Sequence, residues 1–357
     1  MKNKKLLLKI LICVSSILIF CSSFFFENQI YNLINKKITT LENQIKNSDY
    51  QVHFINVGQA DCIALKLPDA KVCLIDCGTS DSSKELVKYL KKYIVKKDNI
   101  IEYFIVTHPH ADHLGGMKEI FENFEIKELL TPQIFQDTHD GENYAYYNQY
   151  LQLIEFAQKE NSQLNYIDYK QEPIVGVDYK IEFLSPFDNV KNVNDYSPII
   201  LFNLKTKKYV FTGDAEEETE KNILNYYGKE KLKDIDVLKV GHHGSQTSST
   251  TDFIYNLSPE YSIISCGRYN EYGHPHNKVL KVLQAVDTNI LRTDNNGNIV
   301  LAENDNNQIV VVYQYKNRMP IRIQVWQIVL IMSFTTCTIV ILYKPIKFDK
   351  FKKIRKK

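Results

Sequence analysis

The 357-residue chain has no disulfide framework, no internal repeat at solenoid spacing and no strong net charge, its formal balance being +2. Each absence removes a class of protein. Of the seven cysteines, Cys13, Cys21 and Cys337 fall in terminal apolar runs. Cys73 and Cys77 lie four apart on a predicted strand, about 13 Å at the usual rise, which no disulfide can span. Cys62 and Cys266 are free to pair in principle, but their ordinary reading is two small buried apolar side chains, so a disulfide-stapled mini-domain is excluded. The lack of repeats leaves one large domain or two small ones. Residues 50–318 hold 28 Lys and Arg against 38 Asp and Glu, a formal charge of about −10, so the bulk basic footprint of non-specific nucleic-acid binders is missing. A small-residue cleavage site is also missing after the first apolar run, and Phe20 before Cys21 is a poor lipoprotein context, which favours an uncleaved anchor.

What is present begins at the two ends. Leu6 to Phe26 is apolar apart from Lys9 and serines, and it follows Lys2, Lys4 and Lys5. Trp326 to Tyr343 carries no charge, is long enough to span a bilayer, and precedes a tail rich in lysine. Basic residues stay in the cytoplasm, so both ends are expected inside and the intervening domain outside. Arg318 and Arg322 on the outer flank weaken this contrast without reversing it. The predicted organisation is a cytoplasmic start at 1–5, a transmembrane anchor at 6–26 and a helical stalk at 27–49. The main domain follows at 50–318, then a second span at 323–343 and a basic cytoplasmic tail at 344–357. The stalk rests on Ile30, Leu33, Ile34, Ile38, Leu41 and Ile45 at helical spacing.

Within the domain, Thr107-His108-Pro109-His110-Ala111-Asp112-His113 follows directly on the apolar run Tyr103-Phe104-Ile105-Val106. A buried strand ending in imidazoles and a carboxylate brings metal ligands to one point at its C-terminal edge. His108 and His110 alternate and can share one divalent ion. Asp112 and His113 follow a turn and reach a second ion about 3.5–4 Å away. Two more apolar strands end in Phe211-Thr212-Gly213-Asp214 and Leu238-Lys239-Val240-Gly241-His242-His243-Gly244-Ser245. Neighbours in an extended segment point opposite ways. One of the histidine pair is therefore expected to ligate, with His242 preferred and His243 supporting a ligand or touching substrate.

These motifs, with His53-Phe54-Ile55-Asn56-Val57-Gly58-Gln59-Ala60-Asp61 and Leu74-Ile75-Asp76-Cys77-Gly78 upstream, resemble the metallo-β-lactamase fold hydrolases. More narrowly they resemble the extracytoplasmic hydrolase domain of the DNA-internalisation competence proteins of ComEC type, in a free-standing membrane-anchored form. Gly273-His274-Pro275-His276 and Thr293-Asp294-Asn295-Asn296-Gly297 are similar to late motifs of that subgroup. The resemblance runs from about Gln51 to Tyr315. It implies an α/β fold, the αββα metallo-β-lactamase sandwich, here with one transmembrane helix at each end. It also implies that Asp214 bridges two ions. Many family members supply a third histidine to the first ion, but the corresponding window here reads Val193-Asn194-Asp195-Tyr196-Ser197-Pro198. Asn194, Asp195 or water is left to complete that ion. Oxygen donors suit Mn²⁺ better than a full nitrogen shell does, so two divalent ions, Zn or Mn, are expected.

Further candidates surround these ligands. Asp112 and Asp214 are the strongest, because losing either removes both charge and position. Asp76 is expected to orient a ligand histidine, or else to end a strand beside Gly78. Asp61 and Gln59 either lie beside the predicted site edge or form an ordinary turn between the first two strands. Lys239 is expected to reach a phosphate from the side, and His274, in the loop with Pro275 and His276, either to protonate a leaving group or to serve as a capping or structural histidine. Ser245 opens a hydroxyl-rich loop that offers hydrogen bonds to phosphate oxygens or serves as an ordinary helix entry. Strands are predicted at 51–57, 61–67, 71–76, 101–106, 174–184, 199–204, 208–212 and 235–240. Helices are predicted near 82–96, from His113 to about Asn123, at 140–160 and at 215–227, and a final hairpin turns around Asn296–Gly297 and Asn306–Asn307. The tyrosines of the 140–160 helix read as packing.

Two divalent ions make hydroxide available near neutral pH and neutralise charge on a carbonyl or phosphoryl oxygen. Such a site hydrolyses esters, amides, thioesters or phosphodiesters. The resemblance implies a nuclease acting on DNA at the outer membrane face during uptake, with a separate translocation channel as partner, since two spans cannot form one. A second reading is an ester or phosphodiester hydrolase of the cell envelope, similar to phosphorylcholine esterases, whose cationic substrate would suit the acidic domain. A third is a non-catalytic assembly protein that kept the fold, against which the intact ligand set argues.

Overall fold

The computed structural model describes residues 48–313 except 96–97, 136–140, 189, 191 and 305. The expected spans at 6–26 and 323–343, the stalk and the basic tail lie outside the described residues. Among the described residues, no helix is long and apolar enough to cross a membrane.

Strands β1 (Gln51–Phe54), β2 (Ile63–Lys66), β3 (Val72–Ile75), β4 (Ile100–Ile105), β5 (Glu125–Thr131) and β6 (Gln163–Tyr166) begin one sheet. A second sheet holds β7 (Ile174–Gly176), β8 (Tyr179–Phe183), β9 (Ile200–Leu204), β10 (Lys207–Phe211), β11 (Val237–Lys239), β12 (Tyr261–Ile264) and β13 (Asn289–Arg292). The chain then returns to the first sheet with β14 (Ile299–Glu303) and β15 (Ile309–Tyr313). The orders are β15-β14-β1-β2-β3-β4-β5-β6 and β13-β12-β11-β10-β9-β8-β7. In β8 the buried Tyr179, Ile181 and Phe183 alternate with half-buried Lys180 and Glu182, the pattern of a strand with one face on a core. β1 and β3 are buried along their whole length, because a sheet covers one face and helices or loops the other.

Three apolar layers follow. Val52, Phe54, Leu65, Phe202 and Phe211 fill the space between the sheets. Helices α1 (Ser83–Tyr93), α2 (Ala111–Leu114), α3 (Met117–Asn123) and α4 (Gly141–Lys159) accompany the first sheet, packing Leu86, Leu90, Leu114, Phe121 and Leu153 against it. Helices α5 (Glu217–Tyr227), α6 (Thr251–Leu257) and α7 (Asn277–Ala285) cover the second with Ile223, Phe253 and Leu283. Each such side chain stabilises the sandwich by about 1.5–3 kcal/mol when fully buried. Cys62, Cys73, Cys77 and Cys266 are free and buried.

Several sequence expectations change in detail. The single strand expected at 174–184 is a hairpin, turned at Asp178 with φ 60°. β5 escapes detection because exposed Glu125 and Lys127 interrupt its apolar pattern, and β6 is a half-exposed edge. Asn296 ends the short helix α8 (Thr293–Asn296) rather than turning the last hairpin. That hairpin turns on Asn304, whose Oδ1 accepts from Asn306 N and Gln308 N. What positions the site is strand direction. β3, β4 and β5 run parallel, as do β10, β11, β12 and β13, and the loops leaving β3, β4, β10, β11 and β12 carry the candidate ligands.

Candidate metal centre

The centre is built from loops that leave these strand ends. After β3, Asp76 adopts φ 56° and turns its carboxylate back across β4. It accepts from Thr107 N at 2.8 Å and Thr107 Oγ1 at 2.8 Å, which pins the first residues of the histidine motif. α2 then presents Asp112 and His113 one turn later. After β10, Gly213 has φ 50°, and a Cβ there would stand 2.8 Å from Ser197 Cβ, so this turn needs glycine to aim Asp214. After β11, His242 and His243 are both left-handed, with φ 47° and 54°.

Two ligand groups result. Asp61, His113, Asp214 and His243 offer atoms within 4.8 Å of one another, and so do His108, His110 and Asp214. Asp214 belongs to both. Its Oδ2 lies 3.3 Å from His113 Nε2, 3.6 Å from His243 Nε2, 3.6 Å from His242 Nε2 and 3.9 Å from His108 Nε2. His108 Nε2 and His110 Nδ1 are 2.9 Å apart. Two nitrogens on one tetrahedral ion at 2.0–2.1 Å stand about 3.3 Å apart, close to that separation.

The residues fit divalent metal. Asp214 Oδ1, Asp61 Oδ1, His113 Nε2 and His243 Nε2 are buried without a hydrogen-bond partner. Carboxylates stand near both imidazole nitrogens, yet out of hydrogen-bond geometry, as donors aimed at a common point would be. The opposite nitrogens are anchored. His113 Nδ1 is 2.8 Å from Asp76 Oδ2, and His243 Nδ1 donates to Ser265 O at 2.9 Å, leaving each Nε2 free for a metal. The field calls for cations as well. Burial disfavours charge on His113, but Asp214, Asp76 and Asp112 outweigh it and hold its pKa well above the usual histidine range. Burial would raise the pKa of Asp214, yet His113 and His243 hold it well below the carboxylate range. His108 and His110 are pushed the other way, first by burial and then by His113, so they stay neutral donors.

The compact buried group contains Asp61 where the sequence motif puts Asp112. Asp61 Oδ2 is ion-paired with Lys239, so its charge is already matched. Asp112 Oδ2 lies 3.2 Å from His243 Nε2 and faces the opening with a third of its side chain exposed. Asp112 is thus the candidate ligand and Asp61 its candidate support.

Other expectations are corrected. Lys239 does not reach outward: it is fully buried, donates to Gly213 O at 3.0 Å, and stands 4.0 Å from Asp214 Oδ1 behind the ligands. The choice between His242 and His243 assumed an extended segment, but in the left-handed turn both put Nε2 within 3.6 Å of Asp214. His243 is the buried member, while His242 is partly exposed and 3.3 Å from Glu216 Oε1. Asp195 does not fill the first group, since its Oδ1 accepts from Glu216 N and Thr219 Oγ1 at the start of α5. Asn194 likewise turns its amide to Glu216 Oε1. Ser245 is engaged with Thr247 at 3.1 Å, and Thr247 in turn lies 3.2 Å from His242 Nδ1. His274 stands beside the ligands, its ring 5.7 Å from His242 and 6.4 Å from His243. Burial and its histidine neighbours lower its pKa to about 4, so at neutral pH it is an N–H donor and not an imidazolium acid.

Sequence reasoning missed several supports. Ser197 Oγ links His108 Nδ1 at 3.2 Å to Asp214 N at 3.0 Å. It lies in the window where many family members carry a ligand histidine, and a serine there gives no metal-ligand signal in the sequence. Glu216, two residues after Asp214, holds His242, Asn192 and Asn194. Tyr146 of α4 packs edge-on against His110 at 4.4 Å, so one member of the tyrosine stripe touches the centre.

Residues 55–188 match the Metallo-beta-lactamase superfamily. The chain is 29% identical over 291 residues to "ComE operon protein 3" of Bacillus subtilis, covering 76% of this chain and 34% of that protein. It is 29% identical over 258 residues to "Recombination protein 2" of Haemophilus influenzae, covering 72% of this chain and 29% of that protein. The chain thus spans about a third of the length of these curated relatives, 34% and 29%. A solved structure, the diiron β-hydroxylase CmlA from Streptomyces venezuelae, overlaps 71% of this chain and 54% of its own, with TM-score 0.47 and 11% identity. The chain carries a metallo-β-lactamase domain of the ComEC-like type.

Proposed function

We propose that this chain is a membrane-anchored, extracytoplasmic, metal-dependent phosphodiesterase whose polymer is DNA. The observation that carries the catalytic half is the convergence of unpartnered buried donors from His113, His243 and Asp214 beside the His108–His110 pair. The polymer is supported by similarity to a protein named for recombination and to the ComE operon protein. The membrane anchor rests on the apolar runs at 6–26 and 323–343 and the basic tail.

His108, His110 and Asp214, joined by His242, would hold one ion, and Asp112, His113, His243 and Asp214 the other. Ions bound there would supply an activated water near neutral pH and positive charge against the phosphoryl oxygens. The remaining work falls to the chain. Asp76 fixes the His113 ring and Ser265 O fixes that of His243, so neither ligand must reorganise. Lys239 balances Asp61 from behind and keeps the buried carboxylates from repelling one another. Gln59 Oε1 accepts from Gly267 N, which turns its amide nitrogen toward His274 Nδ1 at 3.3 Å. The His274 proton then sits on Nε2, where it serves as a hydrogen-bond donor to a phosphoryl or leaving-group oxygen.

A second reading, an ester or phosphodiester carrying a cationic group, is favoured by one feature. A recess of about 650 Å³ beside His242 is lined by Asp195, Glu216, Glu217 and Glu218, with Lys278 opposing them. The purified full chain, loaded with Zn²⁺ or Mn²⁺, is to be assayed on single- and double-stranded DNA and on bis-nitrophenyl phosphate, with Asp112→Ala as control. Metal-dependent DNA cleavage lost in the variant is the expected result. Cleavage of the small diester with DNA untouched would move the assignment to envelope substrates. Bound metal with no turnover of either would remove the phosphodiesterase reading.

A further inference from the structure

The loop between β12 and α7 carries two of the most exposed aromatic side chains among the described residues. Tyr269 is 83% exposed and Tyr272 69%. Neither is loosely presented. Asn270 Nδ2 donates to Gly267 O at 2.9 Å and His274 O at 2.7 Å, and Asn270 Oδ1 accepts from His274 N at 2.9 Å. Gly267 N is held by Gln59 at 2.8 Å. Tyr269 adopts φ 57°, a left-handed backbone that bulky residues seldom take and that this clamp sustains. A fixed loop that spends hydrogen bonds to hold apolar rings in water is organised for a flat ligand.

The rings also lead to the centre. Tyr272 stacks on His274 at 5.6 Å and 27°, and His274 lies parallel to His243 at 6.4 Å and 23°. A planar group placed on Tyr272 continues a stack that ends at a metal ligand. Tyr146 borders another of the candidate ligands, His110. The charge beside the outer ring decides which flat ligand fits. The Arg268 guanidinium sits 5.1 Å above Tyr269. An arginine on that face occupies it and repels a quaternary ammonium, whereas guanidinium and tyrosine together suit a nucleobase and its phosphate.

We propose that the segment Arg268–Tyr272 is a base-stacking platform that seats single-stranded nucleic acid beside the metal centre, with Tyr272 as the inner step and Tyr269–Arg268 as the outer. This rests on the phosphodiesterase reading and specifies its substrate as an unpaired polynucleotide strand, since bases within a duplex are not free to stack on a protein ring. The platform supplies what the domain's acidic average does not: affinity through base faces more than through bulk charge.

The test uses the full chain, with fluorescence anisotropy of a labelled phosphorothioate oligothymidylate and an abasic strand of the same length. Tyr272→Ala and Tyr269→Ala are expected to weaken the base-bearing strand by about 5- to 150-fold each and to leave the abasic strand unmoved. Tyr272→Phe, which keeps the ring, should bind as the parent does, and metal content and melting temperature exclude misfolding. Equal weakening of both strands, or no weakening of either, overturns the platform. Competition by phosphorylcholine that disappears in the tyrosine variants also overturns it, in favour of a cation cage. If the parent chain binds no oligonucleotide yet hydrolyses bis-nitrophenyl phosphate, the platform falls and the phosphodiesterase reading stands. If it binds oligonucleotide through the tyrosines but hydrolyses neither substrate, the platform stands and the catalytic reading falls.

Discussion

The half of the centre around His113 and the half around His110 use the same donor types in unlike surroundings. His113, His243 and Asp214, with Asp61 behind them, are almost wholly buried, only Asp112 of this half reaches the opening, and each imidazole is braced on its far side, by Asp76 and by Ser265 O. Across Asp214, His108 is buried, but His110 and His242 stand at the rim, and His242 is braced by half-buried Glu216. A brace in a dry site is electrostatically strong, while one at the rim is weakened by water. On the proposed two-ion reading, the deep half would retain its ion, and the rim half would exchange one and meet substrate, next to the acidic recess and not far from His274.

The most severe way to break this comparison is to remove the shared ligand. Asp214→Asn should abolish binding of both ions and cost several kcal/mol of transition-state stabilisation, on the order of 10³-fold in diester hydrolysis. Metal content measured beside turnover checks it. Lys239→Met leaves Asp61 buried without its counter-charge, and removal of one partner of a buried pair costs about 3–5 kcal/mol. A lowered melting temperature should result, larger than for any rim substitution. Asp76→Asn unbraces His113 and should weaken the deep ion by about 10- to 100-fold while sparing the rim ion, read by metal titration. Glu216→Gln should do the reverse and more mildly, by about tenfold or less, because its partner His242 is partly solvated.

The smallest effect lies outside the ligands. Glu220 in α5 accepts from Ser249 N, Thr250 N and Thr250 Oγ1, fixing the loop that follows the histidine pair. Burial outweighs those bonds and pushes its pKa from 4.5 up to about 7. The folded state therefore holds this proton more tightly than the unfolded chain. The stabilisation is full below about 4.5 and is lost as pH rises through about 7. Glu220→Gln should flatten that part of the melting-temperature profile, and an unchanged slope would show that the group does not contribute.

Much of the fold was legible because most strands are short apolar runs and the metal motif follows one of them directly. The clustering of His108–His113 and Asp214 was legible for the same reason: imidazoles and carboxylates crowded at the ends of buried strands are brought to one point, where their desolvation is offset chiefly by a cation. Side-chain direction was not. Lys239 is the last residue of β11, and nothing in its neighbours distinguishes a lysine facing phosphate from one facing Asp61. The His242–His243 pair defeated strand alternation because its backbone is left-handed, held where a Cβ on Gly244 would stand 2.5 Å from Pro275 Cβ. Ser197 and Tyr146 reach His108 and His110 from segments far away in sequence, and Glu216, though two residues after Asp214, meets His242 only once the loops of the second sheet pack together.

The most direct test of a deep and a rim ion is stepwise removal of metal from the zinc-loaded full chain by a chelator, with bound zinc counted at each step. Two ions per chain are expected, released in two separated phases, with the slower phase accelerated by Asp76→Asn and the faster by Glu216→Gln. A single bound ion, or two ions lost together in one phase that neither substitution separates, would contradict the division into a deep and a rim half.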